Sequence, residues 1–115
     1  MEAAIIIAIL ILFIIWRKLP TKGIKAITAE QLKTVLTEKD KVFVDVRTSG
    51  EYKGRHIAQF NNIPLGSDLS KLPKDKEIVV ICQSGMRSNQ ACKQLMKLGY
   101  DKVTNVRGGM NAWRG

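Results

Sequence analysis

One stretch of the chain has residue types and spacing that can do covalent chemistry: Ile78-Val79-Val80-Ile81-Cys82-Gln83-Ser84-Gly85-Met86-Arg87-Ser88. Its first four residues form an apolar, β-branched run that reads as a buried strand. Cys82 falls at the carboxyl end of that strand, immediately before a helical pattern. In open α/β sheets this edge is where ligands bind. A loop running into a helix start aims several backbone N–H groups at one point, with the positive end of the helix dipole behind them. Such a cradle stabilises an anion and lowers a cysteine pKa from about 8.5 into a range of roughly 3.5–7.5, so Cys82 is expected as a thiolate at neutral pH. Gly85 permits tight curvature or a positive φ. Arg87 offers a planar fork of donors to an oxyanion, and Ser88 stands where an N-cap is expected. The chemistry this points to is that of a reactive thiolate nucleophile, against the alternative of a buried structural cysteine.

The elements around this stretch read as an alternation of strands and helices. Thr28-Ala29-Glu30-Gln31 fits a capping box and opens a helix whose apolar face is Leu32, Val35 and Leu36. Val42 to Val46 is a short β-branched run, a buried strand ending at Asp45-Val46-Arg47. A polar stretch from Thr48 to Arg55 follows, and Pro73 with Lys74-Asp75-Lys76 breaks the chain before the strand that leads to Cys82. The helical pattern from Ser88 to Leu98 places Ala91, Leu95 and Leu98 on one face and closes at Gly99. Val103 to Val106 is a further strand candidate, ahead of Gly108-Gly109 and a terminal turn with Trp113. Strands alternating with helices predict an α/β domain with a parallel sheet covered on both faces.

Taken together, these segments resemble the rhodanese-like sulfurtransferases. The resemblance runs from about Ile24 to Trp113. It rests on Cys82-Gln-Ser-Gly-Met-Arg-Ser88, Asp45-Val-Arg47, Glu51-Tyr52, His56-Ile57, Asn62-Ile-Pro-Leu65, and Gly108-Gly109 with Trp113. Gln59-Phe60 stands where the family commonly has a small Gly-Ala pair. The resemblance implies a five-stranded parallel sheet flanked by helices, with Cys82 as the persulfide-forming nucleophile and Gln83, Ser84, Gly85, Met86 and Arg87 as the substrate-binding loop. It implies transfer of sulfane sulfur from thiosulfate or a persulfide to a thiol or other thiophilic acceptor, by a ping-pong route. The expected partners are a small sulfur-containing anion or persulfide donor and a thiol acceptor, with no cofactor and no metal. Asp45 and Arg47 read as a supporting ion pair or loop anchor, and Ser88 as a supporting residue beside the thiol. His56 reads as a hydrogen-bonded structural residue and Cys92 as core; the alternative for Cys92 is a thiol that resolves Cys82.

Fifteen of the first sixteen residues are apolar, Glu2 being the exception, and Ala3 to Trp16 carry no polar side chain. A helix apolar all round does not suit a membrane surface and is too apolar for a small domain to enclose. The expected organisation is a transmembrane anchor over 1–19, a linker over 20–23 and one domain over 24–115, with the membrane contacted by residues 3–16. Met-Glu before the run, and Trp16-Arg17-Lys18 after it, do not fit a cleaved signal peptide. Arg17, Lys18, Lys22 and Lys25 follow the run, so the positive-inside rule predicts a single-pass protein of the cell membrane with its domain in the cytoplasm.

The chain of 115 residues carries a formal net charge of +9 and two cysteines. Two cysteines are too few for a disulfide framework, and the basic residues are scattered rather than clustered among aromatics, which argues against a nucleic-acid surface. Two rival functions stand beside sulfur transfer. Cysteine phosphatases also use a cysteine loop that ends in arginine, but with Cys-x5-Arg, where this chain has Cys-x4-Arg. A non-catalytic, membrane-tethered interaction module would use the fold for recognition alone.

Overall fold

A computed structural model describes residues 2–18 and 24–115. The expected linker over 20–23 lies outside the described residues. A helix, α1 (Glu2–Lys18), precedes a five-stranded sheet made of β1 (Ile24–Ile27), β2 (Lys41–Asp45), β3 (Asn61–Asn62), β4 (Glu77–Ile81) and β5 (Val103–Val106). All its pairings are parallel, in the order β1-β5-β4-β2-β3. Helices α2 (Ala29–Val35), α3 (Ser49–Gly54), α4 (Met86–Lys97) and α5 (Gly109–Ala112) complete the domain.

Alternation along the central strands divides the core. Ile78 and Val80 join Val44, Val46, Ala91, Leu95 and Val103 on one side, while Val79 and Ile81 join Leu32, Phe43, Phe60, Val106 and Met110 on the other. A strand buried on both faces reads as an unbroken apolar run, which is why β4 is legible in the sequence. Phe60, in the Gln59-Phe60 segment that departs from the family pattern, is buried and packs on Phe43 with ring centroids 5.2 Å apart. The departure therefore fills the core.

The strand order sets the site. The chain leaves β2 for β3 on one side and leaves β4 for β5 on the other, so the sheet has its topological switch between β2 and β4. The crevice beyond the carboxyl ends of these two strands is the place where an open α/β sheet binds ligands. Cys82 follows β4, and Asp45 ends β2 with Arg47 two residues beyond it. The pairing of Asp45 with Ile81, extended by the Val46 N–H donating to the Ile81 carbonyl at 3.0 Å, holds the two strand ends side by side.

Several sequence expectations shift. Thr28 and Gln31 form the expected capping box of α2. The polar stretch after Arg47 is not irregular: Thr48 and Glu51 form a second capping box that starts α3. Helix α4 begins at Met86, two residues before the expected start, with Gly85 as its N-cap at φ 104°. Ser88 is therefore inside the first turn and does not cap it, because the left-handed conformation that ends the loop falls at the glycine. The predicted transmembrane helix finds no support. Among the described residues no helix is long and apolar enough to cross a membrane. Helix α1 has 17 residues, which at ~1.5 Å per residue falls short of a hydrocarbon core of about 30 Å.

Candidate active site

Cys82 is fully buried at the foot of a loop that closes on itself around the sulfur. The Gly85 N–H donates to Sγ at 3.0 Å, and the Ser88 hydroxyl lies 3.3 Å from Sγ. The sharp turn that allows this needs the positive φ of Gly85. Burial pushes the Cys82 thiol up; the Ser88 hydroxyl and amide and the amides of Gly85 and Ser84 pull it down and prevail, so its pKa sits below the ordinary cysteine value. These groups favour the anion by hydrogen bonding and by the dipole at the start of α4.

Ser88 links the sulfur to a residue that the motif reading did not single out. Its hydroxyl donates to Asn105 Oδ1 at 2.5 Å, and Asn105 Nδ2 reaches the Gly85 carbonyl at 3.4 Å. Asn105 occupies β5 at the same parity as the buried Val103. A polar residue at an inward position of a strand was the available signal. A serine hydroxyl has one proton and can turn it either to Asn105 or to sulfur. Donation to Asn105 leaves Ser88 to accept from the Cys82 thiol, and donation to the thiolate requires the Ser88–Asn105 bond to open.

The loop is braced from two directions. The α5 turn supplies the Met110 N–H to the Cys82 carbonyl at 2.9 Å and the Asn111 N–H to the Gln83 carbonyl at 3.0 Å. Gln83 Nε2 adds a bond to Asn111 Oδ1 at 2.6 Å. From β2, Arg47 Nη1 donates to Gln83 Oε1 at 3.2 Å. Gln83 is thereby a strut between two elements, with its side-chain amide directed to protein partners.

Asp45 and Arg47 form the expected ion pair, almost wholly buried. Asp45 accepts from Arg47 Nε at 3.1 Å, from Nη2 at 2.9 Å and from the Arg47 N–H at 2.9 Å. The remaining guanidinium donors reach the Arg55 carbonyl at 2.6 Å and the Glu51 carbonyl at 3.3 Å. Asn62 closes the group from β3 through its donors to the Asp45 and Arg47 carbonyls at 3.0 and 2.9 Å.

Arg87 departs from expectation. Its guanidinium is engaged by Glu51 in a bidentate pair, Nη1 to Oε1 at 2.7 Å and Nη2 to Oε2 at 2.9 Å. Its partner Glu51 enters the sequence reading only in the Glu51-Tyr52 motif, with no site role, although Thr48-Ser49-Gly50-Glu51 carries the capping-box signature that fixes its position. The Arg87 hydrogen bonds are the main cause that holds the Glu51 carboxyl down at about 2, with the Thr48 amide next. Met86, by contrast, is three-quarters exposed at the rim of the loop. His56 is the structural residue expected, its Nδ1 2.8 Å from the Tyr52 carbonyl and its ring stacked on Tyr52. Cys92 is buried in the core, and burial, followed by the charge of Cys82, pushes its thiol up to about 12.

A buried cysteine held by amides between the end of a parallel strand and the start of a helix defines a class of α/β proteins with a cysteine loop at the sheet edge. Within that class the chain belongs to the rhodanese-like domain family, whose profile matches residues 28–115. It is 38 % identical over 94 residues to a sulfurtransferase of Allochromatium vinosum, a match that covers 78 % of this chain and 88 % of that one. Another similar protein is YtwF of Bacillus subtilis, 41 % identical over 96 residues, with 80 % of this chain and 92 % of the relative covered. Among solved structures, the rhodanese-like domain protein of Staphylococcus aureus superposes with a TM-score of 0.71 at 34 % identity, over 77 % of this chain and 90 % of that one.

Proposed function

We propose that the chain is a sulfurtransferase that carries sulfane sulfur as a persulfide on Cys82. The observation that carries this reading is the Cys82 sulfur itself, with the Gly85 amide at 3.0 Å and the Ser88 hydroxyl at 3.3 Å at the start of α4. The thiolate attacks the outer sulfur of thiosulfate or of a persulfide. A new S–S bond forms to Cys82, the donor's S–S bond breaks, and its electron pair leaves with sulfite or with the donor thiolate. An acceptor thiolate then removes the outer sulfur and regenerates the Cys82 thiolate. Both leaving groups are stable anions, so the step needs no general acid, and the contribution of the loop is to stabilise negative charge on sulfur. A phosphatase reading fares worse, since the Arg87 fork that a phosphate monoester would need is engaged by Glu51.

The test is the intact mass of the full-length chain after exposure to thiosulfate or to cysteine persulfide, beside Cys82→Ser. The expected result is a gain of one sulfur in the parent alone, reversed by cyanide or by excess thiol. No gain with either donor would leave the interaction-module reading in its place.

We further propose that the domain sits at the cytoplasmic face of the cell membrane, with α1 inserted into the lipid. Ile5, Ile6, Ile7, Ile9, Leu10, Ile11 and Leu12 are all more than half exposed on that helix, an apolar surface that water disfavours and lipid accepts. Co-sedimentation of the full chain with vesicles of phosphatidylcholine and phosphatidylglycerol is expected, together with its loss in the double variant Ile7→Glu, Leu10→Glu. Equal binding by both proteins would remove α1 as the attachment.

A further inference from the structure

We infer that Glu51 sets the charge class of the sulfur donor: by neutralising Arg87 it fits the Cys82 site to a neutral or monoanionic persulfide and against dianionic thiosulfate. This inference rests on the sulfurtransferase reading and narrows its substrate class.

The argument starts from where the charges go. Two arginines are tied to the ring around Cys82. Arg47 is closed by Asp45, with both side chains almost fully out of water. Arg87, the cation of the loop-to-helix junction, is closed by Glu51 in a bidentate pair. Arg55, at the end of α3, turns its Nη2 to the Trp113 carbonyl at 2.8 Å. The four groups Asp45, Arg47, Glu51 and Arg87 sum to zero, so the reactive state keeps the single negative charge of the Cys82 thiolate.

Glu51, a third exposed like Arg87, is held by more than the arginine. Its Oε1 accepts from the Thr48 N–H at 3.0 Å and the Thr48 hydroxyl at 3.1 Å, and its own carbonyl accepts from Arg47 at 3.3 Å. The α3 cap, the β2 end and the loop helix therefore all fix it opposite Arg87. A rotation of Arg87 toward an incoming anion has to break two charge-assisted bonds and strand a carboxylate beside that anion.

Donor chemistry then decides the consequence. Thiosulfate brings two negative charges to a site that already holds one, and it releases sulfite with two. Cysteine persulfide brings at most one. In R–S–SH the bond between the two sulfurs breaks, the outer sulfur with its proton joins Cys82, and the electron pair leaves on the thiolate R–S⁻. Charge separation of a few ångströms at the effective dielectric of a protein surface makes one extra unit charge worth about tenfold in rate or more.

Glu51→Gln isolates the charge. Glutamine at the third helical position still serves a capping box, while its side-chain NH2 cannot accept from Arg87 and the bidentate pair is lost. The measurement is the initial rate of Cys82 persulfide formation, by intact mass of the full-length chain, with thiosulfate and with cysteine persulfide at low and high ionic strength. The parent is expected to load at least about tenfold faster from the persulfide. In Glu51→Gln the ratio of thiosulfate to persulfide rates is expected to rise about tenfold, and the rise to shrink with salt. Arg87→Gln, which leaves Glu51 unpaired, is expected to lower that ratio, and the double variant to return it toward the parent. A parent that loads faster from thiosulfate overturns the inference. So does a Glu51→Gln variant that changes both donor rates by one factor, since a merely structural role would do that. Loading by neither donor would instead bring down the sulfurtransferase reading itself.

Discussion

Gly109 lies so close to the carbonyl oxygen of Cys82 that only a residue without a Cβ fits there. A Cβ at this position would overlap that oxygen and stand 2.8 Å from the Gln83 carbonyl carbon and oxygen. The residue is also left-handed, at φ 56°. Close approach lets α5 donate its Met110 and Asn111 amides to the loop, so a glycine more than twenty residues from the cysteine is part of the loop's support.

Gly109→Ala is therefore expected to lose about 2–4 kcal/mol of stability, from left-handed strain and overpacking together, and to slow Cys82 loading by displacing the loop. Urea unfolding and persulfide formation measure the two effects. Gly50→Ala is the control. It lies in α3 with open space around the added carbon, and helix propensity predicts a gain of up to about 1 kcal/mol.

The buried pair makes a larger demand. Asp45→Asn keeps shape but leaves the Arg47 guanidinium buried without its counter-charge, and such a loss costs about 3–5 kcal/mol. Arg47 also bonds to Gln83, Glu51 and Arg55. The same variant is therefore expected to lower the loading rate even at temperatures where it remains folded. A urea midpoint equal to that of the parent would show that the pair is dispensable.

Much of this was legible in the residues themselves. The runs at Phe43–Val46 and Ile78–Ile81 are buried on both faces, and Asp45 is the one polar residue that interrupts them. Cys82, Gly85 and the Asp45–Arg47 pair are local in sequence, and local spacing carries their geometry. β1 was not legible as a strand from pattern alone: Ile24–Ile27 is an edge strand with Lys25 and Ala26 exposed. The Glu51–Arg87 pair and the Asn105–Ser88 bond join residues 36 and 17 positions apart. Only the strand order brings them together, and single-segment reading has no access to it. Arg87 shows the cost: read alone it is a free fork, and in the fold it is half of an ion pair.

Acid should reveal that pair. Glu51 holds its proton only below about 2 in the folded chain, against an ordinary value of 4.5. The unfolded chain therefore binds the proton first as pH falls, and the stabilisation present above pH 4.5 is lost progressively toward pH 2. Unfolding free energy measured across that window is expected to fall more steeply in the parent than in Glu51→Gln. Parallel slopes would show that the carboxylate contributes nothing to acid stability.

The Cys82 thiolate has its own pH signature. With its pKa below the ordinary cysteine value, alkylation by iodoacetamide and sulfur loading rise with pH through a midpoint lower than that of a free thiol. Ser88→Ala removes the hydroxyl that is the largest of the contributions opposing burial, so its midpoint is expected to move upward, with the greatest loss of rate on the acid side. An unchanged midpoint would assign the stabilisation to the amides alone.

Cys92 should prove chemically silent in this cycle. It lies one helical turn beyond Ser88 on the same face of α4 and is fully buried. With its thiol near 12, only about one molecule in 10⁵ carries a Cys92 thiolate at neutral pH. A resolving thiol would have to attack the inner sulfur of the Cys82 persulfide and expel hydrosulfide to leave a disulfide, or take the outer sulfur for itself. Both routes require the thiolate and a path through the packed core around Ala91 and Leu95. Cys92→Ala is accordingly expected to load and discharge sulfur within about twofold of the parent, and the loaded parent to release its sulfur only when an external thiol or cyanide is added. Spontaneous formation of a Cys82–Cys92 disulfide, read as the loss of two hydrogens in the intact mass and absent in Cys92→Ala, would show that the core opens enough to make Cys92 a participant.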